Sequence, residues 1–223
     1  MSQVPSPGAR RIPDATIRRL PAYLRALERS SLSRMTSGEL GQLTGFSSEQ
    51  VRKDLAYFGA FGTRGVGYEV PALAREIRRI LGLDREVLAV LVGAGHLGTA
   101  LLRYSQFSSQ DVQVAAAFDV DPRVVGTTIG RVVVEPLEHL EERVQELGAR
   151  IGIVAVPAGA ANAVGERLTR AGVRAILNFA PVTICQACPE VVVHNIDLAL
   201  ELQALAYFVT VTPDKSLAVE RDL

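Results

Sequence analysis

The sequence predicts an α/β protein that joins a small N-terminal helix-turn-helix unit to an open parallel sheet. Three observations support this fold class. The first 81 residues hold 13 Lys and Arg against 7 Asp and Glu, so positive charge is concentrated there. Two helix-start signals, at Thr36 and Ser47, stand close together. From Leu83 onward, short apolar runs alternate with helical segments, which is typical of parallel sheets covered by helices.

We expect a helical domain over residues 1–82, a parallel-sheet domain over 83–196, and a terminal helix and tail over 197–223. The chain has 223 residues and 48% hydrophobic content, enough to bury a core. It has no run of eighteen apolar residues, no apolar signal region near the N-terminus and only two cysteines. These features predict no membrane span and a cytoplasmic location.

The charge asymmetry predicts an anionic partner for the first part, and nucleic acid is the candidate. The excess is +6 in residues 1–81 and −6 in the remainder. Arginine supplies most of it, since Lys53 and Lys215 are the two lysines of the chain. Guanidinium groups suit bidentate contacts with phosphate and guanine. A basic surface that serves only solubility is the alternative.

The first helix is expected to begin with Asp14 as its cap. Its apolar residues recur at helical spacing, and Pro21 within it is expected to kink or restart the helix. The residues of this apolar stripe are Ile17, Leu20, Leu24 and Leu27.

Two capping boxes predict the helix-turn-helix. Thr36 and Glu39 open a short helix, and residues 44–47 form a turn. Ser47 and Gln50 form the second box, at the start of a helix with one apolar face. The stretch GAFGTRGVGYEV then predicts a two-stranded turn with Arg64 at its centre, and a helix beginning at Pro71 closes the domain near Gly82. This order of elements predicts a winged helix.

The winged helix places several side chains where they suit DNA. Ser47 and Ser48 at the start of the recognition helix suit phosphate, and Gln50, Arg52 and Lys53 suit base edges or phosphates of the major groove. Arg64 at a glycine-rich tip suits a narrow minor groove. Ordinary solvated charge is the alternative for each of them.

The second part alternates strands with helices. Strands are predicted over 87–92, 112–118, 132–134, 151–156, 175–178 and 191–194, and helices over 99–104, 137–147 and 160–171. The segment 197–209 follows the last predicted strand and is apolar on several helical faces. We therefore expect it to be a dimerisation element.

A glycine fingerprint follows the first of these strands. Gly93, Gly95 and Gly98, with Ala94, His96 and Leu97 between them, stand where a strand turns into a helix.

Asp119 ends the next strand, where its carboxylate suits ribose hydroxyls and repels a 2′-phosphate. The pattern predicts a Rossmann domain that binds NAD(H) rather than NADP(H). A Rossmann-like domain without a ligand is the alternative.

Two more strand ends face the same crevice of such a sheet. Val156 and Pro157 follow one strand, and Asn178 and Phe179 end another. Asn178 is a candidate for the nicotinamide carboxamide and Phe179 for its ring. The alternative is that Asn178 simply caps a turn.

No residue stands out as catalytic or metal-binding. His96 lies in the glycine loop, His139 on an outer helix and Lys215 in the tail, so His194 is the only plausible acid or base. No substrate domain follows, and binding without turnover is expected. An NAD-dependent dehydrogenase with an added basic domain, and a coenzyme A-binding domain, are the rivals. Cys185 and Cys188 form a C-x-x-C that is either a redox pair, part of a metal site or an ordinary loop.

The chain resembles the Rex family of redox-sensing transcriptional repressors. The match is carried by IRRLPAYLR at 17–25, QVRKDLAYFG at 50–59, GTRGVGY at 62–68, GAGHLG at 93–98, FDVDP at 118–122, LNFAP at 177–181 and HNIDL at 194–198. The resemblance implies a homodimer that binds operator DNA when NADH is low and releases it when NADH binds. It also implies control of respiratory and fermentative genes and no further protein partner. The C-x-x-C departs from what the family leads us to expect in that loop.

The resemblance also implies residue roles. Arg52 and Lys53 fall on the recognition helix and Arg64 in the wing, while Arg25, Tyr104 and Asp197 match positions that join the domains across the dimer. A two-fold dimer would read an inverted repeat. We hypothesise that an apolar pocket lined by Phe179 and the partner's terminal helix disfavours the charged NAD⁺, and that Arg25 and Asp197 pair in only one state.

Overall fold

The computed structural model describes residues 12–59, 61–63, 66–104, 111–184 and 190–210. The chain divides into two compact units, of which the first extends to Asp84 and the second begins at Arg85. Four residues singled out above lie outside the described residues, and these are Arg64, Cys185, Cys188 and Lys215.

The first unit is helical with one small sheet. Its helices are α1 (Asp14–Arg29), α2 (Ser37–Thr44), α3 (Ser48–Ala56) and α4 (Val70–Ile80), and its strands are β1 (Arg34–Met35), β2 (Gly62–Thr63) and β3 (Gly67–Glu69). Strands β2 and β3 pair antiparallel, as the wing requires. Strand β1 pairs antiparallel with the other edge of β3 and was not predicted, because two residues are too short to show a period.

Helix α1 departs from its prediction at two points. Pro13 is the N-cap and Asp14 the first helical residue, so Asp14 does not cap the helix and instead pairs with Arg18 at 2.5 Å. The helix also does not restart at Pro21, since it is one element through Arg29. Pro21 is exposed, and burial of the neighbouring Leu20 and Tyr23 outweighs the missing hydrogen bond.

The first capping box is confirmed, and only half of the second forms. The Thr36 hydroxyl accepts from the backbone N–H of Glu39, and the Glu39 carboxylate accepts from that of Thr36. The Ser47 hydroxyl accepts from the Gln50 N–H at 3.1 Å. The Gln50 side chain does not return to Ser47, because its amide nitrogen donates to Asp54 at 2.9 Å.

Asp54 lies on the inner side of α3 and is 0% exposed. Its carboxylate accepts from the hydroxyls of Thr16 and Tyr23 at 2.9 and 2.8 Å, and from Gln50. The Arg19 guanidinium donates twice, at 2.7 and 2.9 Å. We call these five residues the Asp54 cluster. Every buried oxygen of the carboxylate thus has partners, which a charge without water requires.

The second unit is a sheet with helices on both faces. Its strands are β4 (Val87–Val92), β5 (Val112–Asp119), β6 (Thr128–Ile129), β7 (Val132–Pro136), β8 (Ile151–Val154), β9 (Ala175–Asn178) and β10 (Val192–Asn195). Its helices are α5 (His96–Arg103), a 3₁₀ turn (Leu137–His139), α6 (Leu140–Leu147), α7 (Ala158–Ala171) and α8 (Leu198–Thr210). Helix α5 begins three residues before the predicted start, directly after the glycine loop.

The strand order is β10-β9-β8-β4-β5-β7-β6. All pairs are parallel except β6 with β7, and the short edge strand β6 was not predicted. Along β4, Ala89 and Leu91 face one core with Leu102 of α5, and Val90 and Val92 face the other core with α6 and α7. Burial on both faces explains why β4 reads as a continuous apolar run.

Helix α8 begins after Asp197, whose carboxylate accepts from the N–H groups of Ala199 and Leu200 at 2.9 and 3.3 Å. Asp197 is therefore its side-chain cap. Large apolar side chains of the helix are exposed in the single chain: Leu198, Leu200, Leu202, Leu205, Tyr207, Phe208 and Val209. This exposure is what a helix that needs cover from another surface would show.

We predict that acid weakens the first unit through Asp54. Burial raises the pKa of its carboxyl, but hydrogen bonds from Arg19, Tyr23, Thr16 and Gln50 outweigh burial and hold the pKa below its usual value of 3.8. The ionised form is thus the stabilising one, and its contribution is complete above the unfolded pKa of about 4 and is lost as the pH falls through the folded value.

Hydrogen exchange of the α1 and α3 amides between pH 5 and pH 2.5 measures this effect, after correction for intrinsic exchange. The variant Asp54→Asn should be less protected at pH 5 and should lose less protection on acidification. An acid response as steep as that of the unmodified protein would contradict the prediction.

Candidate functional site

The glycine loop lies at the carboxyl end of β4, in the centre of the sheet. From β4 the chain first builds the β5 side and then crosses to β8 on the other side. Ligands of open α/β sheets bind at such a reversal of strand order. The loops that follow β4 and β8 touch here, because a Cβ at Gly93 would lie 2.4 Å from the Ala155 carbonyl oxygen and 2.9 Å from Val156.

The three fingerprint glycines meet three different constraints. Gly93 has φ of +96°, which disfavours any side chain. A Cβ at Gly98 would lie 1.9 Å from the Gly93 carbonyl oxygen, so helix and loop touch directly. A Cβ at Gly95 would meet no atom within 4 Å. Gly95 thus opens onto empty space at the N-terminus of α5, where backbone N–H groups favour an anion.

Ala94 is buried in this loop, whereas His96 and Leu97 are exposed in the first turn of α5. Asp119 at the end of β5 fixes the loop from the side. Its Oδ2 accepts from the Ala94 N–H at 2.7 Å, and its Oδ1 accepts from the N–H groups of Val120 and Asp121. The carboxylate is half-buried and stands beside the glycine loop, as the fingerprint requires.

Sequence reasoning missed an ion pair next to this carboxylate. The Arg123 guanidinium donates to Asp121 at 2.7–3.1 Å, and these hydrogen bonds lower the pKa of Asp121 to about 2. An arginine near this position can accommodate the 2′-phosphate of NADP. Here that arginine is paired with Asp121, and 87% of its side chain is exposed.

The structure corrects the role of Asn178. Its side chain is 0% exposed, and its amide nitrogen donates to the Val182 carbonyl and to Asn195 at 2.7 and 2.8 Å. Its oxygen accepts from the Ala180 N–H at 3.0 Å. A buried side chain with its bonds made inside the unit does not reach a nicotinamide, so the turn-capping alternative is the correct one. Asn195, the partner that the sequence did not indicate, belongs to the adjacent strand β10.

Asn178 instead positions the loop that carries Phe179. Phe179 is half-buried and packs on the core shared with β4, and its N–H donates to the Val154 carbonyl at 2.8 Å. Val156 is half-buried and Pro157 exposed, both directly after β8. Strands β8 and β9 are adjacent, so the residues that follow them lie at one edge of the sheet with the glycine loop.

The histidines do not converge on this edge. His96 is the first residue of α5, His139 ends the 3₁₀ turn before α6, and His194 lies on the edge strand β10. Within the described ranges, no three His, Cys, Asp or Glu side chains are grouped to hold a metal ion. No helix in that part of the chain is long and apolar enough to cross a membrane.

In the first unit, the outer side of α3 carries the predicted DNA-reading residues. Arg52 and Lys53 are exposed, and Ser47 and Ser48 stand at the helix start. The Arg52 guanidinium donates to the Ser37 hydroxyl at 3.0 Å, which orients it over the start of α2. Ser37 had given no signal in the sequence.

The three predicted coupling residues lie at element ends or exposed positions. Arg25 is exposed on α1, and Tyr104 is 51% exposed at the end of α5. Asp197 is half-buried and caps α8. Arg25 belongs to the first unit, and Tyr104 and Asp197 belong to the second.

Family models match both halves of the chain. Residues 11–56 match a model described as putative DNA-binding protein N-terminus, and residues 84–182 match a model described as CoA binding domain. A redox-sensing transcriptional repressor Rex from Natranaerobius thermophilus is 45% identical over 199 residues, which cover 88% of this chain and 90% of the relative.

Solved structures of RSP, a Rex-family repressor, are similar to most of the chain. Its complex with β-NAD⁺ and operator DNA has a TM-score of 0.83 at 35% identity, covering 90% of this chain and 93% of that chain. Its complex with β-NADH has a TM-score of 0.78 at 34% identity, covering 89% and 94%.

The glycine geometry predicts opposite outcomes for two substitutions. Gly98→Ala should destabilise the second unit by about 1–3 kcal/mol or more, because the new methyl group overlaps the Gly93 carbonyl. Gly95→Ala should cost about 1 kcal/mol or less, because its methyl group enters open space. Thermal unfolding followed by circular dichroism compares the two. Equal unfolding temperatures for both variants would contradict the assigned packing.

Proposed function

The chain belongs to the Rex family of redox-sensing transcriptional repressors, and we propose that nucleotide binding in its second unit controls DNA binding by its first. It is a DNA-binding repressor that senses NADH against NAD⁺, and it acts as a homodimer on operator DNA in the cytoplasm. The observation that carries the mechanism is the open space above Gly95, where the strand order reverses. In the same chain, the recognition helix α3 exposes Arg52 and Lys53.

The family consists of transcriptional repressors rather than enzymes. The dehydrogenase rival needs an acid or base beside the nicotinamide, and the three histidines do not converge there. The coenzyme A rival would bring a 3′-phosphate toward the Asp119 carboxylate, which repels it. A dinucleotide with free ribose hydroxyls fits Asp119 better, and the same carboxylate favours NAD(H) over NADP(H) because it accepts from a 2′-hydroxyl and repels a 2′-phosphate.

We assign the dinucleotide to the glycine loop and its neighbours. The pyrophosphate lies on Gly95 and the N–H groups of His96 and Leu97, with Gly93, Ala94 and Gly98 shaping the loop behind it. Asp119 accepts from the adenosine ribose. Val156, Pro157 and Phe179 line the nicotinamide end, and Asn178 supports them without contact.

Discrimination between the two redox forms rests on the nicotinamide, which is positively charged only in NAD⁺. An apolar pocket lined by Phe179 costs the charged ring more desolvation free energy than the neutral one. The exposed apolar side chains of α8 from the second protomer would complete that pocket. A hundredfold weakening of operator binding by NADH needs about 2.7 kcal/mol of coupling free energy, within the ordinary allosteric range.

Two surfaces of the first unit, the recognition helix α3 and the wing, are assigned to DNA contacts. Arg52, held by Ser37, and Lys53 enter the major groove, while Ser47 and Ser48 bind phosphate at the helix start. Gln50 keeps its carbonyl oxygen and one amide N–H for DNA, because only its other N–H is bound to Asp54. Arg64 in the wing is assigned to the minor groove on the sequence alone. The homodimer would read an inverted repeat with half-sites about 34–36 Å apart or a multiple of that.

The function is tested by fluorescence anisotropy with a labelled operator duplex at fixed ionic strength. We expect saturating NADH to weaken binding about a hundredfold, and equal concentrations of NAD⁺ to leave most of the complex intact. The variant Gly95→Ala should fold and bind operator but should respond to NADH only at much higher concentration. Operator affinity that is the same with and without saturating NADH would overturn the proposal.

We further predict that the negative charge of Asp197, rather than its capping role, is needed for release. Asp197→Asn keeps an oxygen that accepts from Ala199 and Leu200, so α8 keeps its cap while the charge is lost. If Arg25 pairs with Asp197 in one state, this variant should bind NADH normally and still fail to leave the operator.

Glu201→Gln is the matched control, since it removes an equal charge from the first turn of the same helix. Its release by NADH should follow that of the unmodified protein. Normal release by Asp197→Asn in the same anisotropy titration would exclude the charge pair.

A further inference from the structure

We propose that Arg19 and Asp54 are positioning residues for operator recognition, which they determine without touching DNA. The proposal rests on the function above and concerns the orientation of its recognition helix. Arg52 and Lys53 lie on the exposed side of α3, and Asp54, the next residue, points to the buried side. Whatever holds Asp54 therefore fixes the rotation of α3 about its own axis, and with it the direction of both cations.

Asp54 is held by α1, which is distant in sequence. Its bonds to Thr16, Arg19 and Tyr23 join residues 31–38 positions apart. Two of them come from the Arg19 guanidinium, whose planar fork fixes direction as well as distance. A purely apolar contact between the helices would tolerate sliding and rotation that this geometry does not.

Two of these α1 side chains, Arg19 and Tyr23, also contact the turn of the helix-turn-helix. The Arg19 guanidinium lies 5.8 Å from the centre of the Phe46 ring, and the Tyr23 ring packs edge-on against Phe46 at 5.7 Å. Phe46 stands in the turn between α2 and α3. Arg19 and Tyr23 thus connect the turn and the recognition helix to one point on α1.

Gln50 extends the cluster to the start of α3. Its backbone N–H donates to the Ser47 cap, and its side-chain nitrogen donates to Asp54 one turn later. The cluster therefore fixes the end of α3 where Ser47 and Ser48 would meet phosphate. A change in Asp54 should alter how the helix meets base edges more than it alters the charge that attracts any DNA.

Arg19→Lys tests the proposal most cleanly. Arg19 is partly exposed and keeps its positive charge in this variant, but the two-bond fork is lost. Binding to operator and to a scrambled duplex is measured at one salt concentration, well below the unfolding temperature. We expect operator affinity to fall about tenfold, the scale of one lost base contact, while affinity for scrambled DNA changes by less than about twofold.

Three further variants and one control complete the experiment. Tyr23→Phe keeps the ring on Phe46 and removes only the hydroxyl that Asp54 accepts from, and it should lower the operator-to-scrambled ratio in the same direction. Asp54→Asn combined with Arg19→Lys should cost no more discrimination than Asp54→Asn alone, because both break one pair. Arg18→Lys, at the neighbouring position of α1 and paired with Asp14, should leave the ratio unchanged.

An unchanged ratio in Arg19→Lys and Tyr23→Phe would overturn the inference, as would an equal loss for both kinds of DNA. NADH binding and NADH-driven release by the unmodified protein are measured alongside. If that protein fails to bind operator or to respond to NADH, the proposed function fails. If it does both while the variants keep their discrimination, only the positioning role fails.

Discussion

The contact between Gly98 and the Gly93 carbonyl is the constraint on which the second unit depends. Because no side chain intervenes, α5 begins directly at the end of the central strand, with its first N–H groups above Gly95. The positive φ of Gly93 turns the chain toward Ala155, which brings the β4 and β8 ends together. A dinucleotide whose pyrophosphate lies at that helix start would place its adenosine ribose toward Asp119.

The first unit depends on a different kind of contact, the desolvated carboxylate of Asp54. Its hydrogen bonds are directional, and removing Arg19 would leave a buried charge without its counter-ion. The two units therefore shape their binding surfaces in different ways. The second unit excludes side chains from the glycine loop so that a ligand can approach the backbone. The first unit gathers buried side chains so that α3 presents Arg52 and Lys53 at one angle.

Structural features that a few neighbouring residues specify could be predicted from the sequence. The Thr36 capping box, the wing strands, the β4 run and the glycine fingerprint all depend on neighbours along the chain. The Asp54 cluster could not, because Asp54 reads as one more charge on a polar helix and its partners on α1 are 31–38 residues away. Asn178 was misassigned for the same reason, since its partner Asn195 lies on another strand. Both cases are buried polar groups whose partners only the fold brings near.

NADH and operator DNA are expected to weaken each other's binding through one coupling free energy of the protein. Thermodynamic reciprocity between the two ligands tests this coupling most directly. Calorimetry measures NADH binding to the free protein and to protein saturated with operator duplex. Bound operator should weaken NADH binding by the same factor by which NADH weakens operator binding. Identical NADH affinities in the two titrations would contradict it.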